Sequence, residues 1–319
     1  MTMQRKLLHP DRFIWDFWAT WDESLGLFHL FYLNAPRPSR RGERYHHLAR
    51  VGYAITADFT EIVWIEDDLL PPDPKGWDNR SIWSGDVVPC NGGWLMGYTS
   101  RDYRADDPMA QIVGFAFSPD LVRWERIPEW TLRPDAQWYE TAATVDDNSI
   151  HGWRDPYFFV EEGVPKLILF GKSKSLPGAR KACIAQAEFT GNGWVAGPPL
   201  LATGWYSEMD TPQLYLDREG NRCIFFSVGT KYDKAPKTDA QGGGQLIRIC
   251  SKDNITPETA EKCPPEVIVP ASSGLYAFRI IPELGGVVAG WDVQTGGWVL
   301  TDTYIPTLSL PQRRLPITP

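Results

Sequence analysis

At 319 residues, with 43% hydrophobic and 23% charged side chains, the chain has the size and make-up of a globular protein with a substantial core. A formal charge of −8 argues against nucleic acid, which calls for a basic face, and no window approaches the ~18 apolar residues of a membrane-spanning helix. Five scattered cysteines without CxxC or metal spacing fit reduced thiols. Met1 to Pro10 lacks the apolar core of a signal peptide, so a cytoplasmic protein is expected, with secretion left open.

Helical periodicity is almost absent. In chain order, strands are expected at Leu27–Leu33, Val51–Ile55, Ile62–Ile65, Trp94–Tyr98, Ile112–Phe117, Lys166–Phe170, Ala182–Glu188, Gln213–Leu216, Cys223–Val228, Gln245–Ile249, Gly286–Trp291 and Gly297–Thr301. Dispersed Gly and Pro punctuate the turns between them. The 15 Trp, 12 Tyr and 14 Phe suit half-buried pleated surfaces, and flat rings also suit a sugar site; the two readings are compatible.

A repeat narrows the architecture. Val51-Gly52-Tyr53-Ala54, then Asp58 and Trp64, is echoed by Val113-Gly114-Phe115-Ala116, then Asp120 and Trp124. The two glycines lie 62 positions apart, which gives roughly five units over the chain. A motif-bearing strand opens each unit: Trp15–Trp18, Ile82–Val88, Trp153–Phe159, Asp210–Leu216 and a weaker one at Leu275–Ile280. The expected fold is an all-β, five-bladed β-propeller with a central funnel-shaped site, in one domain spanning 1–319 with an irregular closing tail at 303–319. First strands of blades line the central channel, so acids far apart in sequence would meet there.

Three acidic motifs occupy those strands: Trp15-Asp16-Phe17-Trp18, Trp153-Arg154-Asp155-Pro156 and Glu208-Met209-Asp210-Thr211-Pro212. The first resembles the Trp-Asp-x-Trp nucleophile segment of levansucrase-type enzymes, glycoside hydrolase family 68. Ile82-Trp83-Ser84-Gly85 resembles the Trp-Ser-Gly segment that this family shares with invertase-type family 32, and Arg154-Asp155-Pro156 the Arg-Asp-Pro motif of both. His29-Leu30-Phe31-Tyr32 is similar to the strand that follows the nucleophile in invertases. Together these span residues 13–230.

The resemblance implies a retaining double displacement at a furanose ring, most simply a β-fructofuranoside such as sucrose. Asp16 would be the nucleophile, with Trp15 and Trp18 as walls around it, and Asp155 would hold ring hydroxyls in the transition state. Arg154 beside Asp155 would keep its carboxyl ionised, although neighbours on a regular strand point to opposite faces. Asp210 stands where the family carries a glutamate acid/base, and Glu208 stands at the earlier acid, so either is a candidate proton donor. Trp83, Ser84, Asp86 and Arg154 are candidate substrate contacts. The plainer readings are a strand-end aspartate at 16, an Asp-Pro turn at 155 and a turn aspartate at 86.

Hydrolysis and transfer share the same intermediate and are not separable here. An inverting arabinofuranosidase or xylosidase of the related family 43 type, with Asp16 as a general base through water, is the alternative, as is a non-catalytic sugar-binding propeller, or a protein-interaction scaffold. The expected partner is a small carbohydrate, with no cofactor, no metal, no nucleic acid and no membrane; the oligomeric state is open. His46-His47 after the basic Arg40, Arg41 and Arg44 reads as a solvated loop, and His151 as a structural histidine near Arg154. Gly242-Gly243-Gly244 lacks the Lys-Ser/Thr of a phosphate loop. Asp146-Asp147-Asn148 is the acidic loop most open to a structural calcium, without EF-hand spacing.

Overall fold

The structure, a computed structural model, describes residues 5–37, 45–141, 151–229, 244–306 and 308–319. The basic loop at Arg40, Arg41 and Arg44, the acidic loop at 146–148 and Gly242-Gly243 lie outside these residues. No helix among them is long and apolar enough to cross a membrane.

Strand β1 (Arg5–Leu7) is set aside by the first sheet, which comprises β2 (Arg12–Asp22), β3 (Leu27–Pro36), β4 (Arg50–Thr56) and β5 (Val63–Glu66) in sequential antiparallel order. The second holds β6 (Ile82–Cys90), β7 (Gly93–Arg101), β8 (Gln111–Ser118) and β9 (Glu125–Arg126). The third holds β10 (Trp153–Glu161), β11 (Val164–Lys172), β12 (Ala182–Phe189) and β13 (Trp194–Ala196). The fourth holds β14 (Asp210–Leu216), β15 (Arg222–Gly229), β16 (Gly244–Ser251) and β17 (Glu266–Val269). In the fifth, β18 (Leu275–Ile281), β19 (Val287–Asp292) and β20 (Trp298–Tyr304) are completed by β1, which pairs with β20. Five four-stranded sheets of this order make the five-bladed propeller that the repeat predicts.

Each predicted strand is present. The unpredicted ones, β1, β9, β13 and β17, are short outer strands with few buried side chains, so they carry little hydrophobic alternation to read.

The repeat has a physical cause. Gly52 on β4 faces Tyr32 on β3, and Gly114 on β8 faces Tyr98 on β7. A Cβ on Gly52 would come within 2.2 Å of the Tyr32 ring, and one on Gly114 within 2.6 Å of the Tyr98 ring. Each tyrosine crosses over its glycine to hand its hydroxyl to an aspartate: Tyr32 to Asp67 at 3.1 Å and Tyr98 to Asp78 at 3.0 Å. Asp58 and Asp120 then bond the amides of their own turns, which set Phe59 and Leu121 at φ 60° and 64° with both side chains buried.

The core lies between blades. Trp15, Phe31, Val51, Ile82, Met96 and Tyr98 join the first two, for example, in one apolar layer. The tail crosses the rear of three blades: Leu216 N–H donates to Ser309, Val160 N–H to Gln312 and Leu315 N–H to Pro89. The expectation of reduced thiols needs correcting, because Cys223 on β15 and its cross-strand partner Cys250 on β16 form a disulfide. Sequence spacing of 27 gives no sign of it; the register does.

Candidate active site

The five inner strands β2, β6, β10, β14 and β18 share one irregularity. Each slips its register against the next strand at the same height: between Ile14 and Phe17, Trp83 and Gly85, Arg154 and Tyr157, Asp210 and Gln213, and Tyr276 and Arg279. A bulge frees residues from the ladder and re-aims their side chains. At three of the five the chain enters the left-handed region, with Asp155 at φ 63°, Thr211 at 49° and Ala277 at 48°. For a β-branched residue such as Thr211 that conformation is strained, which costs about 1–3 kcal/mol and needs surrounding structure to hold it.

Asp16, Ser84, Asp155, Asp210 and Tyr276 all lie in or immediately before these bulges, and they converge in one hydrogen-bonded and charged cluster. Ser84 Oγ donates to Asp16 Oδ2 at 2.5 Å, joining the first two blades. The amide of Thr211 donates to Asp155 Oδ2 at 2.9 Å, joining the third and fourth. Asp155's own amide donates to Thr99 Oγ1 at 3.0 Å, and that hydroxyl donates to the Ser84 carbonyl at 3.0 Å. Thr99 is fully buried and ties the positions of Ser84 and Asp155 together.

Arg154 is the hub. Its Nη2 donates to Asp210 Oδ1 at 2.6 Å and to Glu208 Oε2 at 3.1 Å, and its Nε donates to Asp210 Oδ1 at 3.0 Å. Nη1 reaches Gln111 Oε1 and the His151 carbonyl, and the guanidinium lies 4.3 Å over the Phe170 ring. Burial acts to lower its pKa, but Asp210, Glu208 and Asp155 hold it well above the ordinary value, so it stays charged. Tyr276 OH donates to the other Asp210 oxygen at 2.5 Å, and burial with Asp210 and Glu208 raises the phenol well above its usual range.

The carboxylates crowd one another. Asp16 is half-buried, and burial followed by Asp155 pushes it up to about 7 against the lowering bond from Ser84; Asp210 adds to the rise. Asp155 is also raised, by burial first and Asp210 second. The expected depression of Asp155 by Arg154 is therefore overturned. The bulge does bring Arg154 Nε to 3.9 Å from Asp155 Oδ2, against the alternation of a regular strand, but burial and Asp210 outweigh it.

Other expected site residues land elsewhere. Asp86 lies beyond the bulge, buried, accepting from Phe158 N–H at 2.9 Å and from Arg313 of the tail, so both the plain turn and the substrate contact give way to an inter-blade tie. Trp18 is stacked on Phe31 and faces a rear cavity rather than walling Asp16. Trp15 is buried behind Tyr45 and His46. Trp83 donates its indole N–H to the His46 carbonyl at 2.9 Å and stacks on Arg101.

His46 and His47 sit in a single 3-10 turn, Tyr45–Leu48, instead of a solvated loop. The His46 ring opens to solvent, yet crowding by protein and then the cation Arg154 lowers its pKa. His151 is structural as expected: Nδ1 accepts from Gln111 N–H and Nε2 donates to the Glu140 carbonyl, which defines the neutral tautomer.

Sequence reading missed Tyr45, Thr99 and Tyr276. Tyr45 lies near enough to Asp16 for that carboxylate to help burial raise its hydroxyl's pKa. Tyr276 had a signal available. It occupies, in the fifth inner strand, the place that Arg154 and Asp210 occupy in the third and fourth.

No protein-family model matches the chain, and no curated protein resembles it in sequence. Solved structures do resemble it in fold. Bacillus subtilis levansucrase superposes with a TM-score of 0.67 at 11% identity, over 97% of this chain and 91% of that one. A Microbacterium saccharophilum β-fructofuranosidase variant gives 0.66 at 14% identity, over 97% of this chain and 72% of its own. Schwanniomyces occidentalis fructofuranosidase, solved with fructose, gives 0.62 at 17%; there this chain spans 62% of the longer protein. The fold of this chain is that of the levansucrase and β-fructofuranosidase propellers.

Proposed function

We propose that the chain is a glycoside hydrolase or glycosyl-transferring enzyme that acts with retention on a furanoside, in the first place a β-fructofuranoside such as sucrose. The observation that carries this reading is the convergence of Asp16, Asp155 and Asp210 at the bulges of three inner strands, in a fold shared with fructoside-acting enzymes.

In this reading the Asp16 carboxylate attacks the anomeric carbon while the glycosidic C–O bond breaks, and Asp210 gives its proton to the leaving oxygen. Water or a sugar hydroxyl then attacks the glycosyl ester, loses its proton to Asp210 and releases Asp16. Ser84 orients the attacking carboxylate, and Asp155, fixed by Thr211 N–H, grips ring hydroxyls as the ring flattens. Asp210 is preferred over Glu208 as the proton donor because its charge acts on both Asp16 and Asp155, whereas Glu208 acts on Arg154 and Tyr276. Glu208 then serves to anchor Arg154.

Wild-type protein given sucrose or an aryl β-fructofuranoside should release a first product of retained configuration by NMR. Asp16→Ala should release none. An inverted first product would remove Asp16 from the nucleophile's role, and sugar binding without turnover of any furanoside would make the chain a binding protein.

A further inference from the structure

Beyond the bulges the inner strands continue to the opposite mouth of the central channel. They enclose a cavity of about 240 Å³ whose rim includes Leu310, Pro311 and Arg313 of the tail. None of the carboxylates of the candidate active site lines it. Its walls are largely aromatic and aliphatic, with Trp18, Trp21, Phe28 and Ile280 among them.

The polar groups in this cavity are almost all spent. Gln213 donates to the Phe278 carbonyl at 2.9 Å and accepts from Ile280 N–H at 3.0 Å. Tyr215 and Tyr157 donate to the carbonyls of Ile280 and Leu214. Asp86 and Arg313 neutralise each other.

Glu283 also lines the cavity but is exposed; the buried exception is Arg279. It is only 6% exposed, yet Nε alone has an acceptor, the Phe17 carbonyl at 2.9 Å. Nη2 has no hydrogen-bond partner, and the described residues give the guanidinium no ion pair. Its charge reaches Asp16 and Asp155 only at longer range. A buried donor without an acceptor is costly and calls for a specific explanation.

We propose that the rear cavity is a second binding site, for a compact organic monocarboxylate whose carboxylate bonds Arg279 and whose carbon frame packs against Trp18, Trp21 and Phe28. Arg279 is the one buried lining cation without a bonded acid, which suits a single negative charge, and Glu283 in the same lining disfavours a second. A dianion such as phosphate would bring its second charge beside Asp86, and it would leave the aromatic walls without a partner. The site uses none of the side chains assigned to the chemistry, and although Arg279's charge reaches Asp16 and Asp155, its occupancy is read by binding alone.

Calorimetric titration of the full chain with benzoate, benzamide and inorganic phosphate tests this. Benzoate should bind at one site, with benzamide and phosphate each at least about tenfold weaker, since benzamide lacks the charge and phosphate the apolar frame. Arg279→Gln should weaken benzoate at least about tenfold. Ala19→Phe, which fills the cavity from its wall and keeps Arg279, should abolish binding even where Arg279→Gln fails to fold. Absent benzoate binding, benzoate binding that survives Ala19→Phe, or phosphate binding equal to benzoate would overturn the proposal. None of these readouts depends on turnover.

Discussion

At the bulges Asp16, Asp155, Glu208 and Asp210 gather, the last three against Arg154; beyond them, Arg279 of an inner strand and Arg313 of the tail line one cavity with Asp86, which Arg313 pairs. The front is acidic and crowded, and burial with neighbouring carboxylates pushes Asp16 and Asp155 up. At the rear almost every polar group is consumed by a tie between blades or to the tail. Burial is similar at both ends: Asp86 is 2% exposed and Asp155 is 4% exposed. What separates a chemically reactive carboxylate from a structural one here is therefore the balance of its partners rather than its depth.

The sharpest way to break this contrast is to neutralise one acid from each end. Asp155→Asn should lower kcat/KM by about 10⁴-fold with a fold that remains intact, as expected for a group acting in the transition state. Asp86→Asn should leave kcat/KM within about threefold but cost about 1–3 kcal/mol of stability in urea, because the half-buried Arg313 is left beside a weaker partner. Equal activity losses for both would dissolve the distinction.

Arg154→Met comes next. It removes the only cation bonded to Asp210 and Glu208 among the described residues, so unfolding free energy at neutral pH should fall by about 3–5 kcal/mol. A loss below about 1 kcal/mol would mean that this cation's ion pairs contribute little to the fold.

The smallest effect concerns Asp16. Its pKa is raised in the fold, so stability from this group is lost as pH rises from about 4 towards 7, and activity that needs the ionised form falls as pH drops through the neutral range. Ser84→Ala removes a bond that favours the ionised form, and should move the acid limb of the kcat/KM profile to higher pH. A shift to lower pH would mean that Ser84 serves the sugar rather than Asp16.

The blade count and the strands were legible because each inner and middle strand is long, apolar and bounded by turn residues, and because the Gly52 and Gly114 repeat reflects a fixed tyrosine crossing. Asp16, Ser84, Asp155 and the segment Glu208–Pro212 were legible as motifs. The bulges were not. A bulge is a property of register between two strands, and a single strand's sequence holds no trace of its partner's spacing. That is why the pairing of Arg154 with Asp155 looked doubtful, and why Asp86, only two positions after Ser84, was grouped with the wrong end of the channel. Tyr276 escaped because its strand has no acidic motif, and Arg279 because an arginine on an apolar strand reads as surface until the sheet closes around it.

The pairing of β1 with β20 has a consequence for how the ring is assembled and loaded. Arg5 lies across from Leu300, so three residues at one end of the chain latch the last blade and with it the whole circle. During synthesis the first four blades have all their strands before the fifth has its inner three. Its outer strand β1, made before them, stays unpaired until a partner nearly 300 residues on is available. Closing so long a loop costs about 5 kcal/mol in chain entropy, recovered only when the ring shuts. The molecule is thus a clasped bracelet: tension applied between Arg5 and Tyr304 would open the clasp first and leave the other four blades standing.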